Sequence, residues 1–280
     1  MTNGILIINK PKNYTSRDIV NIVSKKLKTK QIGHTGTLDP LATGVLVLTI
    51  GTATKISELI TQEKKEYIAT MTFGIKTDTL DITGNIINNE DCIISKEEIL
   101  NCLNSFKKTY EQEVPIYSAV KVNGKKLYEY ARNNEEVILP KKKVTIHEIE
   151  LLDYNIIDNK TVVKFKCLVS KGTYIRSLIN DIASNLNKFA VMSDLQRTKQ
   201  GNYKIEDSLN VDSEYKIIPI EIVLNNFKII NLDKNLEKKI INGVVIDNIY
   251  NEEYILFKNE NNLFLYKDEN NKLKPYKMFL

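Results

Sequence analysis

The sequence predicts an α+β protein with a mixed sheet, followed by a small β-rich C-terminal domain. Residues 144–151 and 162–169 alternate between apolar and polar side chains at period two, which is typical of half-buried antiparallel strands. Residues 175–186 instead repeat apolar side chains with the period of one helix face. Helices interspersed with strands that need not be parallel favour the α+β class.

The first fifty residues predict a strand, a capped helix, a loop and a second strand. Residues 5–9 are an apolar run, and a Thr-Ser pair at 15–16 precedes apolar side chains at helical spacing over 19–27. Residues 31–44 are rich in Gly, Thr and Pro and have little periodicity, so we expect a loop there. The β-rich residues 45–50 follow directly and predict a buried strand.

The same criteria predict a helix over about 53–60, a strand over 67–73, a turn-rich stretch through Gly84 and a helix over about 96–106. After Ser208 the pattern changes to short apolar runs separated by Asn-rich segments.

The change of pattern divides the chain in two. We predict a large domain over residues 1–210, a linker over 211–224 and a small β-rich domain over 225–280. The strands expected in the small domain lie near residues 244–249, 254–257, 263–266 and 275–279.

Composition excludes several classes of protein. The chain has 280 residues, 42% of them apolar and 27% charged, which suffices for a sizeable core. Its apolar runs are far shorter than the roughly 18 residues of a membrane-spanning helix. Three scattered cysteines and two histidines predict neither a disulfide framework nor a zinc site, and we expect no metal or cofactor. Cytoplasmic localisation is the default expectation.

Positive charge is concentrated near the N-terminus. Residues 1–30 hold seven Lys or Arg against the single acid Asp18, whereas the whole chain carries a net charge of +5. A solvated helix face explains such a run, but asymmetry of this size is also typical of phosphate binding. Residues 141–143, three consecutive lysines, add a second basic stretch.

The loop over residues 33–44 is the most informative stretch of the chain. It places His34 and Asp39 five residues apart, with three glycines, directly before a strand that can hold the loop rigid. Functional loops on rigid scaffolds have this character. An ordinary turn, in which Asp39 caps its own backbone before Pro40, is the alternative that spacing alone leaves open.

The string from Gly33 to Leu46 resembles the signature of the tRNA pseudouridine synthase B family. Further segments match that family in the expected order and extend the resemblance over about residues 4–208: Gly51 to Lys55, Lys65 to Tyr67, Gln112 to Arg132, Ser170 to Leu178 and Leu195 to Thr198. The resemblance implies the pseudouridine synthase fold with a central active-site cleft. It also implies isomerisation of uridine to pseudouridine at position 55 in the T loop of transfer RNA, on a target base flipped out of its stack.

The resemblance also implies roles for particular residues. Asp39 is the essential carboxylate, which either attacks C1′ or promotes a glycal-like intermediate, and the sequence leaves both routes open. Arg176 pairs with Asp39 and keeps it ionised. The other implied positions are Tyr67, which stacks on the target base and helps to move the C5 proton; Leu195, which closes the other face; His34, which fills the gap left by the flipped uridine; and Lys55 and Tyr174, which lie near the pocket as support or contact residues.

Two other functions remain open at this stage. A non-catalytic RNA-folding module would need the basic face but not Asp39 and Arg176 together. A hydrolase would need a second carboxylate, which the sequence does not place. On the resemblance we expect a monomer that binds the T-arm of transfer RNA and no membrane, with a C-terminal domain resembling the PUA type of RNA-binding appendage.

Overall fold

The computed structural model describes residues 3–260 and 262–279, and up to Val223 helices and strands are interspersed. The strands of this part are β1 (Gly4–Lys10), β2 (Ile32–His34), β3 (Thr43–Ile50), β4 (Lys65–Phe73), β5 (Ile75–Thr77), β6 (Ile86–Asn89), β7 (Thr109–Glu113), β8 (Lys121–Val122), β9 (Lys125–Lys126), β10 (Lys141–Ile157), β11 (Lys160–Val169), β12 (Ala190–Gln200), β13 (Tyr203–Lys204) and β14 (Ile218–Pro219). The α-helices are α1 (Ser16–Leu27), α2 (Ser57–Thr61), α3 (Lys96–Ser105), α4 (Leu127–Arg132), α5 (Ile175–Asn185) and α6 (Ile220–Val223).

One large mixed sheet organises this part of the chain. Its strands lie in the order β14-β1-β3-β12-β4-β11-β10-β7, while β2 pairs with β3 and β13 pairs with β12. Neighbouring strands are antiparallel except β3 and β12, which run parallel where Thr43 lies opposite Gln196. A mixed sheet with interspersed helices confirms the predicted α+β class.

The N-terminal strand and helix form as the sequence predicts. Every residue of β1 pairs with β3, from Gly4 opposite Ile50 to Lys10 opposite Gly44. Thr15 caps α1: its Oγ1 accepts the Asp18 N–H at 3.1 Å, and the Asp18 carboxylate accepts the Thr15 N–H at 2.9 Å. The reciprocal bonds fix where the helix begins.

Helices cover the sheet and close its core. The apolar face of α5 packs with α3 against strands β4, β10, β11 and β12, and Leu178, Ile179 and Phe165 are fully buried there. Helix α1 packs through Ile19 and Val23 against the strands nearer the N-terminus. Within residues 3–260 and 262–279, no helix is long and apolar enough to cross a membrane.

Strand β12 is the central element that the sequence did not predict. It lies between β3 and β4, and its register with β4 shifts twice, between Met192 and Asp194 and again between Arg197 and Lys199. Each irregularity adds a residue that breaks the alternation of buried and exposed side chains. The period of two that reveals other strands is therefore absent from this one.

Two local predictions in the first third of the chain were wrong in detail. Residues 31–44 are not a continuous loop, because Ile32–His34 forms β2 and extends the edge of β3. The helix expected over residues 53–60 is a 3-10 helix, Gly51–Ile56, followed by the short α2. A positive φ of 62° at Gly51 marks the bend from β3 into that 3-10 helix.

The C-terminal part is β-rich, as predicted, and also contains a helix that the sequence did not predict. Its elements are β15 (Lys228–Asn231), α7 (Lys234–Ile241), β16 (Ile246–Asp247), β17 (Tyr254–Lys258), β18 (Leu263–Asp268) and β19 (Lys272–Phe279). The strands form a second sheet in the order β15-β17-β18-β19-β16. Helix α7 is capped by Asp233, whose carboxylate accepts two backbone N–H groups at 2.8 Å.

The two sheets share a hydrophobic core. Ile7 and Val47 of the large sheet lie in one cluster with Leu256, Leu265 and Phe279 of the small one. The segment over residues 211–224, predicted as a linker, carries β14 and α6 and pairs with β1. The domain boundaries at 210 and 225 remain a prediction, since this segment and both sheets are packed together.

Candidate active site

Asp39 lies at the start of a tight turn on the loop between β2 and β3. The Ala42 N–H donates to the Asp39 carbonyl oxygen at 3.0 Å, and Pro40 fills the second position, which its fixed φ favours. Ser16 of α1 holds the preceding residue, because its Oγ accepts the Leu38 N–H at 2.8 Å and lies 3.2 Å from the Leu38 carbonyl oxygen. The backbone on both sides of Asp39 is therefore fixed.

A buried lysine supports the same loop. Lys10, at the end of β1, is 0% exposed, and its Nζ donates to the carbonyl oxygens of Tyr14 at 2.6 Å and Pro11 at 2.9 Å. The Pro40 carbonyl oxygen lies 3.4 Å from the same Nζ. Burial lowers the pKa of Lys10 to about 8, although the charge of Asp39 opposes that shift.

Arg176 forms a bidentate ion pair with Asp39. Nε donates to Oδ2 at 2.9 Å and Nη2 to Oδ1 at 3.1 Å. The guanidinium is also held by the carbonyl oxygens of Thr79 and Tyr117, each at 3.1 Å. The Arg176 side chain is 6% exposed and that of Asp39 is 33% exposed, so the arginine is buried behind a carboxylate that reaches the surface of the site. The partner implied for Arg176 by the resemblance is present.

A cavity of about 470 Å³ opens over this ion pair. Its lining brings together five of the residues singled out from the sequence: Asp39, Tyr67, Tyr174, Arg176 and Leu195. Tyr67 and Leu195 are almost fully buried, whereas Tyr174 is half-buried at the N-terminus of α5. Burial raises the pKa of both phenols, and the guanidinium of Arg197 opposes the shift at Tyr67.

Two predicted residues lie outside this cavity lining. His34 lies on β2 opposite Leu48, and its buried Nδ1 has no hydrogen-bond partner among the described residues. Burial lowers the pKa of His34, and the charge of Arg17 adds to the shift. Lys55 extends from the 3-10 helix to the small sheet, where its Nζ donates to the Met278 carbonyl oxygen at 2.7 Å, and its role as a support or contact residue stays a prediction.

Two buried cations of the cavity were not recognised from the sequence. Lys65 is 7% exposed and Arg197 is 1% exposed, and both line the cavity beside Tyr67 and Leu195. Each lies two residues from a predicted site residue on the same strand, so period two places it on the same face. That spacing was a usable signal, but the sequence predicted no strand over 190–200 and began the strand of Tyr67 at residue 67, after Lys65.

The arrangement suits chemistry at a single carboxylate. Among the described residues that line the cavity, Asp39 is the one carboxylic acid. It lies beside an aromatic side chain, Tyr67, and an apolar one, Leu195, which together offer a planar base a stacking surface. The lining therefore combines one positioned anion with a pocket for a flat ring.

Comparison with known proteins identifies the family of the chain. The model of the TruB family pseudouridylate synthases, N-terminal domain, matches residues 24–175. A protein named tRNA pseudouridine synthase B from Caldicellulosiruptor saccharolyticus is 44% identical over an alignment of 284 positions, which covers 97% of this chain and 96% of that protein. The chain belongs to the TruB family of pseudouridylate synthases.

Other members of the TruB family match over similar lengths. The protein of the same name from Clostridium tetani is 43% identical and covers 87% of this chain and 86% of its own length. The one from Caldanaerobacter subterraneus subsp. tengcongensis is 39% identical and covers 99% of both chains. Similarity thus extends through the C-terminal sheet, beyond the matched N-terminal domain.

Solved structures confirm the fold. An H/ACA RNP bound to a substrate RNA containing 2′-deoxyuridine contains a chain that superposes with a TM-score of 0.72 at 22% identity, covering 99% of this chain and 85% of that one. A Cbf5-Nop10-Gar1 complex gives a TM-score of 0.71 at 22% identity, with the same shares of the two chains covered. At this identity the likeness concerns the architecture of both sheets.

Proposed function

We propose that this enzyme isomerises uridine to pseudouridine at position 55 in the T loop of transfer RNA, with Asp39 as the catalytic carboxylate. The observation that carries the proposal is the Asp39–Arg176 ion pair beneath a cavity lined by Tyr67 and Leu195. Family membership supports the reaction, and the relatives named tRNA pseudouridine synthase B support the substrate class.

The reaction exchanges one bond at C1′ for another. The bond from C1′ to N1 breaks and its electron pair leaves with the uracil ring. Asp39 promotes this step either by bonding to C1′ or by helping to remove the C2′ proton. The detached ring turns within the pocket, and C5 bonds to C1′ as the Asp39–C1′ bond breaks or, on the other route, as the C2′ proton returns. The C5 proton then leaves and N1 takes up a proton, so that the product is an isomer of the substrate.

Each residue of the site has a place in this scheme. Arg176 holds the carboxylate of Asp39 in one orientation through two parallel hydrogen bonds, which a lysine would not reproduce. Tyr67 stacks on the ring and assists transfer of the C5 proton, and Leu195 covers the other face. Tyr174 supports the entrance, where its backbone N–H donates to Gln112 Oε1 at 2.8 Å.

The site argues against the two alternative functions. Hydrolysis of a glycosidic bond by protein side chains ordinarily uses two carboxylates, and the described lining of this cavity offers Asp39 alone. A module that only folds RNA has no use for a buried guanidinium locked onto a carboxylate. Isomerisation uses both groups.

The basic surface is assigned to the phosphates of the T-arm. Lys25, Lys28 and Lys30 are exposed on and after α1, and the lysines at 141–143 are exposed on β10. Two other lysines of the N-terminal basic run have structural roles. Lys10 is buried, and Lys26, although exposed, donates to the carbonyl oxygens of Asp212 and Ser213. We assign the C-terminal sheet to RNA binding as a PUA-like domain, in an enzyme that acts as a cytoplasmic monomer.

The decisive experiment incubates the enzyme with an unmodified transfer RNA transcript and maps pseudouridine by position. We expect one pseudouridine, at position 55, and none with Asp39→Asn, which still binds the transcript. A transcript with cytidine at that position controls for other targets. Release of free uracil would indicate a hydrolase, and RNA refolding without pseudouridine would indicate a folding module; either result contradicts the proposal.

A further inference from the structure

Arg197 is a buried guanidinium with an unusual position in the sheet. It lies on β12 directly opposite Tyr67 of β4 on one side and Gly44 of β3 on the other. Its side chain donates from Nε to the Val45 carbonyl oxygen at 2.7 Å and from Nη2 to the Gly36 carbonyl oxygen at 3.0 Å. It therefore connects the strand that carries the stacking tyrosine with the loop that carries the catalytic carboxylate.

Among the described residues, no carboxylate pairs with the charge of Arg197. None of the ion pairs among the described residues involves Arg197, whereas the equally buried Arg176 is paired with Asp39. Lys65, a further buried cation of the lining, donates to the carbonyl oxygens of Thr61 and Glu63. Burying an ion without a counter-ion is costly, since backbone carbonyls replace only part of its hydration.

The two cations influence each other and Tyr67. Burial and the neighbouring Arg197 lower the pKa of Lys65 to about 8. The guanidinium also opposes the effect of burial on the phenol of Tyr67. Both effects have the sign of a positive potential at the end of the cavity where the base stacks.

The proposed reaction creates negative charge in that place. On either route the electron pair of the broken C1′–N1 bond resides on the uracil ring until C5 uses a ring pair to bond to C1′. The ring is an anion during that interval, and Arg197 places a fixed positive charge in the lining, beside Tyr67 on the neighbouring strand. We propose that the charge of Arg197 stabilises the detached uracil ring; this inference rests on the proposed function.

This role of the charge can be distinguished from a purely structural role of Arg197. The structural role needs only hydrogen-bond donors for the Gly36 and Val45 carbonyl oxygens, and a neutral amide supplies them. Stabilising an anion needs the charge, which a preorganised, buried cation provides without reorganisation. The charge and the hydrogen bonds can therefore be separated by substitution: Arg197→Gln keeps a donor and loses the charge, and Arg197→Lys keeps the charge.

The first arm of the test measures single-turnover conversion of a transfer RNA transcript with enzyme in excess. We expect Arg197→Gln to slow conversion by about 10²-fold or more, the typical effect of removing one group that stabilises a developing anion. Arg197→Lys should retain conversion about tenfold better than the glutamine variant, because it keeps the charge. Lys164→Gln removes an exposed cation from β11, which β4 separates from β12, and should match the parent. RNA affinity should stay within about threefold for all variants, since the charge acts after binding.

The second arm varies the leaving group. A transcript with 5-fluorouridine at the target carries a ring that holds negative charge more readily, so loss of the target nucleotide depends less on protein charge. The ratio of parent to Arg197→Gln rates should be at least about fivefold smaller with 5-fluorouridine than with uridine. A merely structural role of Arg197 would leave that ratio unchanged.

The outcomes separate the inference from the proposed function. Equal rates for the glutamine and lysine variants, or an unchanged ratio with 5-fluorouridine, would overturn the role of the charge while the parent still makes pseudouridine. A parent that makes none would overturn the proposed function itself. If thermal melting shows that Arg197→Gln is unfolded, the leaving-group comparison is made with Arg197→Lys, whose rate should gain more from fluorination than the parent's; an equal gain refutes the inference.

Discussion

The Asp39–Arg176 pair should stabilise the fold as well as the chemistry, and a double-mutant cycle measures both. The cycle compares the parent with Asp39→Asn, Arg176→Met and the double variant. Asn keeps the size of the carboxylate, and Met keeps much of the length of the arginine without its charge. The single variants each leave one polar partner without the other, whereas the double variant removes both charges.

The expected magnitude follows from burial. Removing one partner of a fully buried pair costs about 3–5 kcal/mol, because the remaining charge stays desolvated. The Arg176 side chain is 6% exposed but that of Asp39 is 33% exposed, so solvent screens this pair in part. We therefore expect about 2–3 kcal/mol for Asp39→Asn, which for a chain of this size lowers Tm by roughly 4–12 °C.

Urea unfolding provides the assay, read as a change of midpoint at constant slope. The double variant should cost at least about 1 kcal/mol less than the sum of the single variants. The exposed pair Lys274–Glu269, 2.7 Å apart, serves as the matched control, and its coupling should stay below about 1 kcal/mol. Additive effects at Asp39 and Arg176, with Tm unchanged in Asp39→Asn, would refute this account of how the carboxylate is held.

Further expectations concern a glycine, a lysine and the basic surface. Gly44→Ala should unfold the protein or nearly so, since φ at Gly44 is +101° and a Cβ would lie 2.2 Å from the Arg197 carbonyl oxygen. The control is Gly124→Ala, at φ +81° with open space around it, which thermal melting should show to lower the free energy of unfolding by only about 1–2 kcal/mol. Because burial lowers the pKa of Lys10 to about 8, the unfolded chain binds more protons above that pH, so this lysine should make the free energy of unfolding rise from pH 8 to 10.5. Lys10→Met should reduce that rise in urea titrations, and the part that remains should come from Lys65, whose pKa is also lowered to about 8. The logarithm of the RNA association constant should fall linearly with the logarithm of salt concentration, less steeply for Lys25→Ala/Lys28→Ala, and a salt-independent affinity would contradict the assigned surface.

Local patterns predicted the elements whose signals lie within a few neighbouring residues. The Thr15 cap, the alternation in β10 and β11 and the apolar face of α5 all required only short-range spacing. Strand β12 lies near the middle of the sheet but was not predicted, because its two register shifts interrupt the alternation of buried and exposed side chains. Helix α7 was not predicted because it has only eight residues, five of them polar, and Ile240 alone among them is buried.

The residues of the candidate active site were likewise predicted only in part. The resemblance led to Asp39, Tyr67 and Arg176, and the structure places all three around one cavity. The hydrogen bond from Lys55 to Met278, more than 200 residues further along the chain, could not be predicted, because no local pattern shows that the 3-10 helix directs this side chain to the small sheet. Composition does not reveal that Arg197 is buried, because a buried and a solvated arginine have the same letter in the sequence. Only long-range contacts distinguish the two.

The hydrophobic cluster shared by the two sheets has a consequence for how the protein is made. Ile5 and Ile7 of β1 lie in one cluster with the 3-10 helix Gly51–Ile56, with α6 and with strands β17, β18 and β19, and those three strands are synthesised long after β1. A nascent chain that has not reached β17 therefore lacks part of the cover of this cluster, while synthesis proceeds at about 5–20 residues per second. Chains that terminate before residue 254 leave apolar side chains of the cluster exposed to chaperones and proteases. All residues of the candidate active site are thus synthesised before this hydrophobic cluster is complete.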